Sequence, residues 1–181
     1  MIQHNVMHWK THKNSLTENY FNISLDLTLI NSHGLKATEP LKIPGYKVYK
    51  VNYSQELSDG SAIAVKYNVA HKLYDDYITD VLAVEINTNV RPIIISTTYL
   101  PPQRPFLPSP DILKLLNNNI PTYINGNING RHQHFGNRDS NTVGKSLVQL
   151  INRGHMLHRG PRFPTYISVN SENVFLVNII I

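Results

Sequence analysis

The sequence predicts an α+β sandwich, and two observations carry that prediction. Short β-prone runs recur along the whole chain, with only a few helical segments between them. Asp59-Gly60 separates two such runs like a hairpin turn, whereas a parallel pair would need a helical crossover there. No repeat, linker or break in composition divides the 181 residues, so we expect one domain spanning residues 1–181.

The first half of the chain alternates strands with one helix. Residues 1–6 alternate as a short strand does, and Ser15-Leu16-Thr17-Glu18 has the spacing of a helical capping box. Further strands are predicted at residues 25–30, 47–53, 61–66, 81–86 and 92–99. The last of these is almost wholly apolar, which is typical of a central strand that is covered on both faces.

The second half opens with a proline-rich loop at residues 100–110. Ser109 followed by Pro110 predicts a helix start, and residues 141–152 predict another helix that Gly154 ends. Strands are expected at residues 122–124, 165–168 and 174–181. The closing strand ends without a turn or a cap, so we expect the domain to continue past the end of this sequence.

The charge balance favours a polyanionic partner. Lys and Arg number 17 against 12 Asp and Glu, which gives a net charge of +5 and a pI near 9.4. No apolar run is long enough to span a membrane, and no secretory signal is recognisable. The absence of cysteine excludes disulfides and thiolate zinc sites, and it is only weak support for an intracellular protein.

The segment at residues 121–136, PTYINGNINGRHQHFG, is the most informative stretch. Enzymes often present side chains where a buried strand ends in a glycine-punctuated polar loop, as happens here. An Asp at position 127 would give GDINGRH, the metal-and-base loop of a phosphodiesterase, but Asn127 is an amide. His132 and His134 form an H-x-H pair, which is either a partial zinc site or a DNA-facing or structural loop.

Seven motifs, in order, resemble the endonuclease domain of jockey-like non-LTR retrotransposons: QHN, KIPGYKVYK, DGSAIAVK, RPIIISTTYLPP, NGNINGRHQHFG, NTVGKSL and FPTYISVNS. That domain is a member of the endonuclease/exonuclease/phosphatase superfamily, and the resemblance covers nearly the whole chain. It implies a four-layer α/β/β/α sandwich of the DNase I type. It also implies a Mg²⁺- or Mn²⁺-dependent enzyme that nicks duplex DNA, so that a reverse transcriptase domain further along the same polyprotein can prime on the nick. An intracellular, nuclear protein is implied as well.

The resemblance assigns roles to residues that follow or end strands. Asn5 matches an Asn that supports a metal-binding carboxylate, and Tyr99 matches a Tyr that contacts the scissile phosphate. Asn129 matches an Asn whose amide donates to phosphate oxygens. Arg131 and His132 fall in the DNA-facing segment that comes next.

Three positions depart from the pattern of that family. Ser32 stands where the family has a metal-ligating Glu, and a hydroxyl is a weak, neutral ligand for Mg²⁺. Asn127 stands where an Asp orients or deprotonates the attacking water, and an amide cannot accept a proton at neutral pH. Asn178 is the best match to an Asp that helps to hold the catalytic centre, although Val177 is the equivalent in another register. The closing Ser-Asp-His motif has no counterpart up to Ile181, so we expect the final strand of the domain to be missing.

We therefore expect an endonuclease domain by descent, with impaired catalysis and weakened binding of Mg²⁺ or Mn²⁺. The alternatives are a non-catalytic DNA-binding domain and a relic that keeps only the fold. A softer metal ion held by His33 beside Ser32 is a further alternative.

Overall fold

The computed structural model describes residues 1–53, 59–74, 81–158, 166–167 and 174–175, and of residues 19–22, 166–167 and 174–175 it describes the backbone alone. No helix in these ranges is long and apolar enough to cross a bilayer.

The first sheet has four strands in the order β1-β2-β4-β3. β1 spans Ile2–Asn5, β2 Leu27–Asn31, β3 Tyr46–Asn52 and β4 Gly60–Lys66. β1 and β2 are parallel, and the two other pairings are antiparallel.

The second sheet has the order β5-β6-β7-β8. β5 spans His71–Leu73, β6 Leu82–Ile86, β7 Ile93–Tyr99 and β8 Thr122–Asn127. Only β7 and β8 run parallel. Near the end of the chain, β9 (Tyr166–Ile167) and β10 (Val174–Phe175) form a separate antiparallel pair.

Three α-helices accompany the sheets: α1 at Trp9–Ile23, α2 at Ser109–Leu116 and α3 at Thr142–Asn152. α1 begins before the predicted capping box, so that Ser15 lies inside the helix with its hydroxyl 3.1 Å from the carbonyl of His12. Trp9 fixes the earlier start, because its side chain is buried and its N–H donates to the carbonyl of His33 at 2.8 Å.

The starts of α2 and α3 differ in how they are capped. α2 begins at Ser109 itself, so Pro108 takes the N-cap position and no side chain caps the helix. α3 begins after Asn141, whose side chain accepts from the N–H of Gly144 at 2.8 Å. Gly154, at φ +73°, follows the end of α3, as the sequence predicts.

Three separate hydrophobic cores divide the molecule into four layers. One core joins α1 to the outer face of the first sheet, and it includes Trp9 and Ile30. A second lies between the two sheets, and a third packs α2 and α3 against the outer face of the second sheet. The predicted four-layer α/β/β/α sandwich is confirmed.

The central strands are apolar at successive positions because both of their faces are covered. Ile63 and Val65 of β4 enter the core between the sheets, whereas Ala62 and Ala64 face α1. Neighbouring residues of a strand point to opposite faces, so a strand between two cores needs apolar residues throughout.

The prediction of a tight hairpin at Asp59-Gly60 is wrong. Asn52 pairs with Gly60, so Gly60 is the first residue of β4 and the connection from β3 is longer than two residues. The backbone of Gly60 is crowded: a Cβ there would lie 1.9 Å from the carbonyl oxygen of Val51.

Candidate active site

Four strands end at one edge of the sandwich. Asn5 lies beside Asn31 where β1 and β2 end, and Tyr99 lies beside Asn127 where β7 and β8 end. The side chain of Asn31 joins the two ends, because its amide nitrogen donates to the Thr97 hydroxyl of the other sheet at 3.0 Å. This edge holds five of the six strand-end positions that the sequence singles out: Asn5, Ser32, Tyr99, Asn127 and Asn129. The sixth, Asn178, lies outside the described residues.

Asn31 is the central residue of a polar layer between the sheets. It is fully buried, and its amide nitrogen also reaches the Ser61 hydroxyl at 2.9 Å and the Thr98 carbonyl at 3.2 Å. Its amide oxygen accepts from the side chain of Gln3 at 2.6 Å. Buried amides that are bonded on both ends are costly to disturb, so Asn31 fixes how the two sheets meet at the site.

The backbone takes left-handed conformations where three of these strands end. Met7 (φ +47°) and His8 (φ +111°) follow β1, Ser32 (φ +54°) follows β2, and Asn129 (φ +46°) follows β8. Of the four, Met7 and Ser32 are residue types that seldom adopt a positive φ. Such outliers are typical of sites where the fold holds side chains in place for function.

Ser32, Asp59 and Tyr99 form a hydrogen-bonded cluster at this edge. The Ser32 hydroxyl donates to the Asp59 carboxylate at 3.1 Å, and the Tyr99 hydroxyl is within hydrogen-bonding reach of both side chains. Burial raises the pKa of the Tyr99 phenol, the bond with Ser32 opposes that rise, and the Asp59 carboxylate adds to it. Tyr99 is therefore a neutral hydrogen-bond donor at physiological pH.

Asp59 is the site residue that sequence reasoning missed. Its carboxylate lies against the hydroxyl of Ser32, the residue at which the family's metal-ligating Glu is absent. An Asp before Gly is an ordinary turn signal, and only the register of β3 against β4 could have shown that it faces the strand ends.

Asn127 is buried, with 6% of its surface exposed, and its amide oxygen has no partner among the described residues. Ile124 of β8 and Ile128 directly after it belong to the core under α2 and α3, and the alternation of the strand turns Asn127 toward the other sheet. An amide at this position can orient a water molecule but cannot take its proton.

Asn141 holds the loop that follows β8. Its side chain accepts from the N–H of Arg131 at 2.9 Å and donates to the carbonyl of Asn129 at 2.8 Å, in addition to capping α3. One amide hydrogen of Asn129 donates to the carbonyl of Leu100 at 2.8 Å, and the other has no acceptor among the residues that the structure describes. The guanidinium of Arg131 pairs with Asp139 at 2.6 Å.

The histidines near the site hold the local structure. His33 is fully buried: its Nδ1 accepts from the N–H of Leu35 at 3.1 Å, so that Nε2 carries the proton and donates to the carbonyl of Val51 at 3.3 Å. Burial lowers the pKa of His33, and the bond to Val51 opposes that shift. His132 accepts from the N–H of His134 at 3.1 Å, and both rings lie against Phe135.

The side chains at the edge do not fit a divalent-metal site of the expected type. Within the part of the chain that the structure describes, no three His, Asp or Glu side chains form a metal-binding group. Asp59 is the one carboxylate seen in the cluster, and it already accepts bonds from Ser32, Gly34 and Gly60. Mg²⁺ requires several oxygen ligands in octahedral geometry and favours anionic ones. The neutral side chains Ser32 and Asn127 leave that requirement unmet.

The fold matches solved DNA-processing enzymes over 99% of the chain. The endonuclease domain of TRAS1, a telomere-specific non-LTR retrotransposon, aligns with a TM-score of 0.79 at 16% identity and over 83% of its own length. The AP endonuclease LMAP from Leishmania major aligns with a TM-score of 0.71 at 11% identity and over 77% of its length. These likenesses place the chain in the DNase I-like endonuclease/exonuclease/phosphatase fold.

The sequence narrows the class further. The chain is similar to the RNA-directed DNA polymerase from mobile element jockey of Drosophila funebris, at 22% identity over 153 residues, and to that of Drosophila melanogaster, at 24% over 152 residues. Each alignment covers 81% of this chain and 16% of the relative's length. No family model matches the chain. The predicted resemblance is confirmed: the chain is similar in sequence to the jockey polymerases and in fold to a retrotransposon endonuclease domain.

Proposed function

We propose that the chain is an endonuclease-derived domain that holds duplex DNA at its strand ends but hydrolyses it at a negligible rate. The observation that carries the proposal is the pair Ser32 and Asn127, neutral side chains where hydrolysis needs a metal-ligating carboxylate and a base. Losing a positioned base costs roughly 10²–10⁴-fold in rate. The missing ligand charge removes stabilisation of the developing negative charge, so binding of Mg²⁺ or Mn²⁺ is weak.

Cationic and donor groups around the same edge support the retained affinity for DNA. The guanidinium of Arg104 lies 5.8 Å from the centre of the Tyr53 ring, and the Tyr53 hydroxyl bonds to the N–H of Tyr99. Arg131 and Asn129 follow β8 on the same edge. With a net charge of +5, these groups favour binding to the phosphate backbone without selection of sequence.

Two measurements test the proposal. In a plasmid-nicking assay with Mg²⁺ or Mn²⁺, the chain should give no nicking above background. Fluorescence anisotropy with a short labelled duplex should show binding that weakens steeply as salt rises, because counterions are released. Robust Mg²⁺-dependent nicking that Asn129→Ala abolishes would contradict the loss of catalysis.

The alternative of a relic that keeps only the fold makes a different prediction in the second measurement. A relic has no selected phosphate contacts, so its binding at low salt would be undetectable or indifferent to salt. Salt-dependent binding therefore separates the two hypotheses.

A DNA-binding domain of this lineage acts in the nucleus, within a parent polyprotein that carries a reverse transcriptase further along the chain.

A further inference from the structure

Four neutral donors converge on the carboxylate of Asp59, and we call them the Asp59 cradle: the hydroxyls of Ser32 and Tyr99 and the N–H groups of Gly34 and Gly60. Ser32 Oγ lies 3.1 Å from Oδ2, and the nitrogens of Gly60 and Gly34 lie 2.8 Å and 3.5 Å from Oδ1. Burial raises the pKa of the Tyr99 phenol, and this carboxylate, which is within reach of the Tyr99 hydroxyl, adds to the rise. Hydroxyl and backbone N–H donors aimed at one point are the groups with which proteins bind oxyanions.

The Asp59 cradle occupies most of the carboxylate. An ionised carboxylate has about four acceptor positions, and among the described residues three donors bond to Asp59, with the Tyr99 hydroxyl close by. Few of its acceptor positions are therefore left for a metal ion. The Tyr99 hydroxyl, which the resemblance implies for the scissile phosphate, lies beside this carboxylate.

The donors are held in place by contacts that do not involve Asp59. The Tyr99 backbone N–H bonds to the Tyr53 hydroxyl, and Tyr99 is 9% exposed. Gly60 is fixed by its pairing in β4 and by its close approach to Val51. Gly34 has φ +66°, and a Cβ there would lie 2.7 Å from a nitrogen of the His8 ring. The cradle should therefore persist when its anion is removed.

We propose that the Asp59 cradle is an oxyanion site that the chain fills with its own carboxylate. A phosphate oxygen and the Asp59 carboxylate compete for the same donors and repel each other, so phosphate enters only when that charge is removed. The inference rests on the proposed function, because it assumes that DNA binds at this edge. The Asp59 carboxylate is then the group that keeps the DNA phosphate away from Tyr99.

Inorganic phosphate is the probe, titrated into the wild-type chain and into Asp59→Ala and Asp59→Asn at pH 7 and constant ionic strength. The amide signals of Gly34 and Gly60 in ¹H–¹⁵N NMR spectra report on the cradle. In either Asp59 variant they should shift saturably at a phosphate concentration at least tenfold lower than in the wild type. Asp26→Ala is the matched control, because it removes an exposed carboxylate at the opposite end of β2, and it should behave as the wild type.

The proposal is overturned if these amides do not respond in the folded variants, or if the wild type responds at the same phosphate concentration. Failure of both variants to fold would overturn it too, since the donors would then depend on Asp59.

A parallel measurement with duplex DNA separates this inference from the proposed function. One additional phosphate contact should make Asp59→Ala bind the duplex about tenfold more tightly than the wild type and Asp26→Ala, with a similar salt dependence because the donors of the cradle are neutral. If phosphate enters the cradle but no form binds DNA, the cradle stands and the proposed function fails. If all three forms bind DNA alike and phosphate does not enter, the proposed function stands and the cradle fails.

Discussion

Restoring the missing glutamate at position 32 should destabilise the fold, because Asp59 already provides a negative charge there. In the wild type, Ser32 Oγ is 3.1 Å from the Asp59 carboxylate and Ser32 is 8% exposed. Two carboxylates about 4 Å apart repel by about 4 kcal/mol at an effective dielectric constant of 20. Asp59 is half-buried and can turn toward water, so we expect about 2 kcal/mol to remain.

Chemical denaturation of a double-mutant cycle isolates this charge effect from the added bulk. Ser32→Glu is compared with the neutral, similarly sized Ser32→Gln, each with Asp59 intact and with Asp59→Asn. At pH 7 the Glu variant should be less stable than the Gln variant by about 2 kcal/mol when Asp59 is intact, and by under about 0.5 kcal/mol in Asp59→Asn. If the Glu and Gln variants differ in stability by the same amount with Asp59 intact and with Asp59→Asn, the side chains at positions 32 and 59 do not interact.

Two further predictions concern the support of the site. Asn141→Ala removes the cap of α3 and the bonds to Arg131 and Asn129. In urea denaturation it should lower the free energy of unfolding by about 1–3 kcal/mol. As a control, Ala at the exposed turn residue Asn68 should change this free energy by under about 0.5 kcal/mol. Burial lowers the pKa of His33 in the folded state, so the unfolded chain binds the proton more tightly. The free energy of unfolding should therefore be highest above about pH 6.5 and fall as the pH drops below it. His33→Gln should reduce this dependence of stability on pH, whereas the exposed His12→Gln should not.

The resemblance was sufficient to predict that these strand ends meet. Tyr99 and Asn127 each end a strand in the order of the family's motifs, and the parallel pairing of β7 with β8 places them side by side. The positions of Ser32 and Asn129 follow from the same argument, one and two residues beyond their strands. The roles assigned to these residues by resemblance stay predictions.

The features that sequence could not supply depend on contacts between distant segments. Asp59 lies 27 residues after Ser32 and carries a common turn signal, so nothing local indicates that it faces Ser32. In the sequence, Asn31 cannot be told from other amides at strand ends, because two of its acceptors lie in the second sheet. α1 begins at Trp9 rather than near Ser15, because burial of the indole outweighs a capping-box spacing that contributes only about 1 kcal/mol.

The bridge that Asn31 makes between the sheets has a consequence for the order of folding. Its acceptor Thr97 is 66 residues further along the chain, a separation that a ribosome needs about 3–13 s to synthesise. Contacts between such distant residues carry a large loop-closure cost and form late. Until β7 is made, Asn31 has Gln3 and Ser61 of the first sheet as partners but lacks Thr97 and Thr98 of the second. The edge where the four strands end is thus completed after the first sheet, as a late step in the maturation of the domain.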